Sequence, residues 1–255
     1  MNKQTFLTLL ATFVLLFSFT FSCSAKGKDK AKHVVFIGLD GWGAYSLPKA
    51  DMPNVKKLME DGSYTLKKRS ALPSSSAINW ASMFMGAGPE LHGYTEWGSK
   101  TPELPSRVLN KNGIFPTVFQ LLRDARPEAE IGCLYEWEGI KYLVDTLSLN
   151  YHYHVADCNK TPKELGNMSS SYIKEKHPAL VAICFDGPDH TGHTEGHDTP
   201  AYYEKLKELD SYVGQIVQAV KDAGMLDDTI FILTSDHGGI DKGHGGKTMQ
   251  EMETA

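Results

Sequence analysis

The sequence has no closely spaced cysteine pair. Its four cysteines stand at Cys23, Cys133, Cys158 and Cys184, which excludes a zinc knuckle or a CxxC redox motif. It has no basic run longer than Lys67-Lys68-Arg69 and carries a formal net charge of -5. A nucleic-acid-binding face is therefore not expected. The glycines Gly38, Gly41 and Gly43 do not have the spacing of a dinucleotide fingerprint, so a Rossmann reading fails. No internal repeat and no low-complexity linker divides the chain. The longest apolar run, Phe6 to Phe21, is short for a membrane-spanning helix. What remains, 255 residues with 41% hydrophobic and 22% charged content, fits one globular domain of ordinary core.

The N-terminus has its own pattern. Lys3 precedes the run Phe6 to Phe21, and Ser22-Cys23-Ser24-Ala25-Lys26 follows. This is the charged, apolar, small-residue order of a secretory signal. Residues 1–25 are read as that signal, and any membrane association is expected only through it or through a lipid on Cys23. Thr20 stands where a lipobox usually has Leu, and cleavage after Ala25 is the competing reading. The protein is thus expected to be exported, to the periplasm or the cell surface. Cys184, within an apolar segment, reads as a small core residue. A disulfide between Cys133 and Cys158 stays open.

Val34 to Leu39 reads as a buried first strand ending in Asp40. Asp51 to Gly62 is a short helix with Pro53 near its start and Val55, Leu58 and Met59 inward. Tyr64 to Leu72 is expected to be a second strand. Ala77 to Met85 has helical character, which puts Ser76 at or beside a helix N-terminus, where backbone N–H groups favour an anion. Phe115 to Arg123 reads as a helix, Glu130 to Leu134 as a strand, Pro162 to Lys176 as a helix and Ala179 to Phe185 as a buried strand. Tyr202, Leu206, Leu209, Val213, Ile216, Val217 and Val220 recur at three- and four-residue steps, the stripe of a long amphipathic helix, capped by Asp198 or Thr199 with Pro200 in its first turn. Ile230 to Leu233 is a last apolar run. This order predicts an α/β fold, a mostly parallel sheet with helices on both faces. Residues 32–255 are expected to form this one domain, with 94–168 a variable, cap-like segment.

Ligands of such sheets sit beyond the carboxyl ends of the strands. Asp40, Asp189 with His193, and Asp236 with His237 all follow apolar runs; Ser76 and His244 complete the set. Carboxylate and imidazole together suit zinc or manganese, and there are enough of them for two ions. Two ions about 4 Å apart can clamp the attacking and leaving oxygens of a phosphoryl transfer.

These residues carry a resemblance to the alkaline phosphatase superfamily, and within it to the type I phosphodiesterase/nucleotide pyrophosphatase branch. Ser76-Ala-Ile-Asn79 resembles that branch's Thr-Phe-Pro-Asn nucleophile motif, with Ser in place of Thr. Gly86-x-x-Pro89-x-x-His92-Gly93 follows at the usual distance. Pro188-Asp189-x-x-Gly192-His193-x-x-Gly196 and Ser235-Asp236-His237-Gly238 resemble its metal motifs. The resemblance implies that Asp40, Ser76, Asp236 and His237 hold one metal and that Asp189, His193 and His244 hold the other. It departs from the branch in three places. The last His of the branch lies farther along, and the spacing of His244 is closer to that of cofactor-independent phosphoglycerate mutases and phosphopentomutases. Thr95-Glu96-Trp97 stands where the branch has a phosphate-contacting Asn. After Glu253 the family continues, so the fold is expected to lack its C-terminal part and to expose an apolar sheet edge. The sulfatase pattern, Cys or Ser followed by x-Pro-x-Arg, is absent around Ser76.

The function implied is an exported two-metal hydrolase of phosphate esters, with Zn²⁺ or Mn²⁺ as cofactor and a phospho-Ser76 intermediate. Its partner is a small-molecule phosphate ester, contacted by Asn79 and Trp97. Diesters or nucleotide pyrophosphate bonds are favoured for two reasons. No basic residue accompanies the ligand motifs except Lys242 and Lys247, while Trp97, Tyr135, Trp137, Tyr151 and Tyr153 offer stacking faces. The alternatives are a phosphomonoesterase or sulfatase-like hydrolase of the same fold, a phosphomutase, and a non-catalytic binding protein.

Overall fold

The computed structural model describes residues 31–156 and 162–255. The proposed signal, Cys23 and Cys158 lie outside the described residues, and with them both readings that rest on those cysteines.

Strand β1 (His33–Leu39) is followed by helix α1 (Pro53–Asp61), the two-residue strand β2 (Lys68–Arg69), α2 (Ser76–Met85) and the single-turn α3 (Pro89–His92). Next come α4 (Val118–Ala125), β3 (Ile131–Tyr135), β4 (Tyr151–His154), α5 (Pro162–Lys176), β5 (Leu180–Phe185) and α6 (Gly187–Glu195). The long α7 (Pro200–Asp222), β6 (Thr229–Thr234), α8 (Met249–Met252) and β7 (Glu253–Thr254) complete the chain. The main sheet has the order β4-β3-β5-β1-β6, and every pairing in it is parallel.

The sheet separates two hydrophobic clusters. Val35, Ile37 and Leu39 of β1 pack with Val55 of α1, Leu165 and Ile173 of α5, and Tyr202 to Val220 of α7. On the opposite face Val34 and Phe36 pack with Trp80 and Phe84 of α2 and Phe119 of α4. Alternation along β1 thus feeds both faces, which is why the run reads as continuously apolar. All residues of the expected α7 stripe are buried except Val217, which is half-buried. At about 1.5–3 kcal/mol per fully buried large apolar side chain, this stripe is a major part of the fold's stability. Thr199 caps the helix, its hydroxyl accepting from the Tyr202 N–H.

Three expectations are corrected. Tyr64 to Leu72 is not a strand of the main sheet: only Lys68 and Arg69 are extended, paired antiparallel with β7. The segment carries two lysines, an arginine and a serine among its apolar residues and has no strand-long buried face. The region 94–168, expected to be a cap, supplies β3 and β4 to the main sheet. Tyr151 and Tyr153, expected to offer stacking faces, stand on the edge strand β4, whose residues are half-buried or exposed. At the other edge, β6 leaves Ile230 and Ile232 50% and 43% exposed. Cys133 and Cys184 are buried free thiols. Among the described residues no helix is long and apolar enough to cross a membrane.

Candidate metal centre

Three adjacent strands, β5, β1 and β6, end at one place. Asp40 follows β1, Asp186 and then α6 with Asp189 and His193 follow β5, and Ser235-Asp236-His237 follows β6. Ser76 reaches the same place as the first residue of α2, from outside the main sheet. That is the helix N-terminus at which the sequence placed it. Gly41 lets the β1 end lie against α6: its φ is +69°, and an added Cβ would come within 2.8 Å of Asp189.

The atoms converge on His237. Its Nε2 lies 3.1 Å from Ser76 Oγ, 3.2 Å from Asp236 Oδ2 and 3.4 Å from Asp40 Oδ1. Its Nδ1 is 2.8 Å from the Gly238 carbonyl. A ring that donates from Nδ1 to that carbonyl turns an unprotonated Nε2 to the three oxygens, the arrangement of a metal-ligating histidine. Asp189 lies at the centre of a second group. Its Oδ2 is 3.1 Å from His193 Nε2, and its Oδ1 is 3.7 Å from His244 Nε2. The Nδ1 atoms of His193 and His244 also face carbonyls, those of Lys242 at 2.9 Å and Ser74 at 3.0 Å. Ligand atoms of Asp189, His193 and His244 lie within 4.8 Å of one another, as do those of Asp40, Asp189 and His237. All seven expected ligand residues are therefore brought together.

Burial makes this cluster costly without a cation. Asp40, Asp189, Asp236 and His237 are at most 7% exposed, and Asp40 Oδ1, Asp189 Oδ1 and Asp236 Oδ2 are buried with no hydrogen-bond partner. Unpaired buried charges are strongly disfavoured. Burial, then Asp236 and Asp189, hold the Asp40 carboxyl well above its usual range. Burial, then Asp189, raise Asp186 to about 7. Burial would raise Asp189 too, but the neighbouring imidazoles of His193 and His197 hold it well below the usual range. The Asp189 hydrogen bond raises His193 to about 9. Burial and the neighbouring His237 lower His244. Divalent cations fit this donor set of carboxylates and imidazoles.

The loop that presents Ser76 is clamped. Asn79 accepts from the Ala71 N–H at 2.7 Å and donates to the carbonyls of Ala71, Pro73 and Ser75. Expected to contact substrate, it instead spends its amide on the turn before Ser76. Ser74 donates to the Gly246 carbonyl and accepts from the Gly245 N–H, tying that turn to the His244 loop. Trp97 lies beside the helix that Ser76 begins: its carbonyl accepts from the Ala77 N–H at 3.2 Å, and the residue is 67% exposed. The other expected stacking residues are elsewhere. Tyr135 is 1% exposed within the core, Trp137 packs at the edge of the same cluster, and Tyr151 and Tyr153 lie on β4 at the sheet's far edge.

Sequence reasoning missed four residues. Trp80 donates from Nε1 to Asp40 Oδ2 at 2.8 Å, its ring filling the space above Gly38, where a Cβ would come within 2.2 Å. Lys68 donates to the Ser235 carbonyl and to Thr254 Oγ1; burial lowers it, against the pull of Asp236. Ser74 ties the Ser76 turn to the His244 loop. His197 has a side chain 0% exposed and Nε2 at 3.6 Å from Asp189 Oδ1.

Residues 34–242 match the family model described as type I phosphodiesterase/nucleotide pyrophosphatase. A mouse bis(5'-adenosyl)-triphosphatase is 25% identical over 222 residues, 82% of this chain and 48% of the relative. A GPI ethanolamine phosphate transferase 3 of Schizosaccharomyces pombe is 30% identical over 115 residues, 44% of this chain and 12% of the relative. The chain thus spans about half the length of the first of these relatives and less of the second. Among solved structures, murine ectonucleotide pyrophosphatase/phosphodiesterase 5, as an inactive variant in complex with AMP, superposes with a TM-score of 0.65 at 19% identity, covering 81% of this chain and 57% of that one. A 2-O GAG sulfatase superposes with a TM-score of 0.67 at 12% identity, covering 88% and 63%. At these identities the structural likeness shows the fold, an alkaline phosphatase-like α/β architecture.

Proposed function

Because the chain belongs to the type I phosphodiesterase/nucleotide pyrophosphatase family, we propose that it is an exported hydrolase of phosphodiester or nucleotide pyrophosphate bonds, acting through a phospho-Ser76 intermediate. One observation carries the reading: Ser76 Oγ lies 3.1 Å from His237 Nε2, beside buried and unpartnered oxygens of Asp40 and Asp236. Asp40, Ser76, Asp236 and His237 would hold one divalent ion, and Asp189, His193 and His244 a second. The donor set suits Zn²⁺ or Mn²⁺. Such a pair, when bound, eases loss of the hydroxyl proton and offsets charge on the attacking and leaving oxygens.

The chain's own residues supply the rest. Ser76 Oγ forms the new bond to phosphorus as the bond to the leaving oxygen breaks, and the leaving group is protonated by solvent. Water then cleaves the phosphoserine ester and restores the hydroxyl. The Gly238 carbonyl at Nδ1 keeps the His237 ring from turning, and Asn79 keeps the Ser76 turn in place. Both contacts fix geometry before the reaction, and pre-organisation of this kind lowers the barrier.

Three features support diesters over monoesters. A monoester brings extra negative charge, which a free cation at the site would meet. Lys68 spends its ammonium on Ser235 and Thr254, and Lys242 donates to the Thr194 carbonyl. The exposed Trp97 offers a flat leaving group a face to stack on. Export rests on the order of residues 1–25. The test is kcat/KM of the zinc-loaded protein on matched p-nitrophenyl phosphate mono- and diesters. A diester preference is expected, and a monoester preference of about tenfold or more, about 1.4 kcal/mol in transition-state stabilisation, would overturn the diesterase reading.

A further inference from the structure

A fourth histidine borders the second ligand group. His197 follows Gly196, whose φ of +99° ends α6 and turns the chain back. Its main-chain N–H donates to the Asp241 carbonyl at 2.6 Å, and its ring Nδ1 lies 3.2 Å from the same oxygen. Nε2 is buried without a hydrogen-bond partner, and so is Asp189 Oδ1, 3.6 Å away.

The slot is built around the imidazole. An added Cβ at Gly192 or at Gly239 would come within 2.2 Å of His197 Nε2. These two glycines belong to the motifs that carry His193 and His237, so both motifs leave space for this one ring. Tyr202 lies on another side, ring centroids 5.5 Å apart. With glycine backbone on two sides, Nε2 has Asp189 as its polar neighbour. Asp189 Oδ1 therefore sits between two imidazoles, His197 at 3.6 Å and His244 at 3.7 Å.

We propose that His197 is a positioning residue for the second metal ion: with both ring nitrogens protonated it donates from Nδ1 to the Asp241 carbonyl and from Nε2 to Asp189 Oδ1, and so fixes the carboxylate that His193 and His244 share. The inference rests on the two-ion reading above. Carboxylates that hold metals are themselves held by hydrogen bonds, and losing such a partner typically costs 10–100-fold in metal affinity. A donor at the Nε2 position is what the role needs, and a glutamine amide supplies one while leucine does not.

The test is chelator competition for Zn²⁺ with the wild-type protein, His197→Leu and His197→Gln, together with the melting temperature of each in metal-free form. We expect His197→Leu to weaken one of the two zinc ions by about 10–100-fold and leave the other unchanged. His197→Gln should bind both within a few-fold of wild type, and the two variants should melt alike when metal-free. Unchanged zinc affinity in His197→Leu would overturn the proposal. So would equal weakening in both variants, which would make His197 either a ligand in its own right or, if their metal-free melting temperatures also fell, a packing residue. A wild-type protein that takes up no zinc would remove the two-ion reading along with this one.

Discussion

The imidazoles of His237 and His244 lie face to face, ring centroids 3.7 Å apart and 18° from parallel. They stand seven positions apart, and the reversal between them is closed by the Ile240–Gly243 bridge. One ring faces Asp40 and Asp236, the other Asp189. The stack thus joins the two ligand groups through a single loop, and the short spacing that sets His244 apart from the phosphodiesterase branch still delivers it to the site.

His244→Ala should therefore remove one ion and spare the other. Elemental analysis of zinc-reconstituted protein is expected to fall from about two ions per chain to about one, as the Asp189 group drops to two protein ligands where catalytic zinc sites have three. Retention of both ions would take His244 out of the ligand set.

Removing metal should also change how stability depends on pH. Burial raises the folded-state pKa of Asp40, and that of Asp186 to about 7. Between the unfolded carboxyl value near 4 and the folded values, the unfolded chain ionises first, so stability is lost as pH rises through that window. His193, raised to about 9 by Asp189, contributes stability that is full below its unfolded value and lost as pH rises through 9. Asp189 is depressed, and its contribution is lost only below the unfolded carboxyl value. His244, lowered by burial and His237, acts in the opposite direction but only up to its unfolded value near 6.5, so between about pH 7 and 8.5 His193 sets the direction and stability falls as pH rises. The metal-free protein should melt at lower temperature at the alkaline end, and zinc should reverse the trend. A metal-free melting temperature that climbs over this range would contradict the buried-carboxylate picture.

Asn79 and Trp97 should separate stability from substrate binding. Asn79→Ala leaves the Ala71 N–H and three carbonyls of the turn without their side-chain partner. We expect a loss of about 1–3 kcal/mol in stability and a fall in kcat. Trp97→Ala should leave the melting temperature nearly unchanged, since the residue is 67% exposed. It should lower kcat/KM on aryl or nucleoside diesters by about tenfold, equivalent to about 1.4 kcal/mol, within the range of a stacked base. Denaturant melts and paired kinetics read both, and an exchange of the two phenotypes would reverse the assignments.

Much of the fold was legible because burial on both faces makes parallel strands read as unbroken apolar runs. Val34 to Leu39, Ala179 to Phe185 and Ile230 to Leu233 each fell within a residue or two of the observed strand. The α7 stripe was legible for the same reason, at the helical period. β4 was not: as an edge strand it is paired on one side, and Tyr-His-Tyr-His carries no continuous buried face. The candidate ligands stood out as clustered residue types after strands, and the structure brings them together. The partners that hold them did not stand out, because Trp80, Ser74 and His197 reach Asp40, Gly246 and Asp189 across 40 residues, 172 residues and a chain reversal. His197 stands eight residues past Asp189, a helical spacing, but the helix ends at Glu195 and the ring arrives by the Gly196 turn. Asn79 was expected at the substrate because its motif marks the Ser76 turn without saying whether the amide faces substrate or backbone; here it faces backbone.

The central claim is that Ser76 is the nucleophile on a metal platform that survives its removal. Zinc-loaded wild-type protein and Ser76→Ala should be compared for turnover of bis(p-nitrophenyl) phosphate, with metal content measured on the same samples. We expect turnover in Ser76→Ala to fall by about a thousandfold or more, upwards of 4 kcal/mol, while both proteins carry two zinc ions. Full turnover in Ser76→Ala, or fewer than two ions in active wild-type protein, would contradict it.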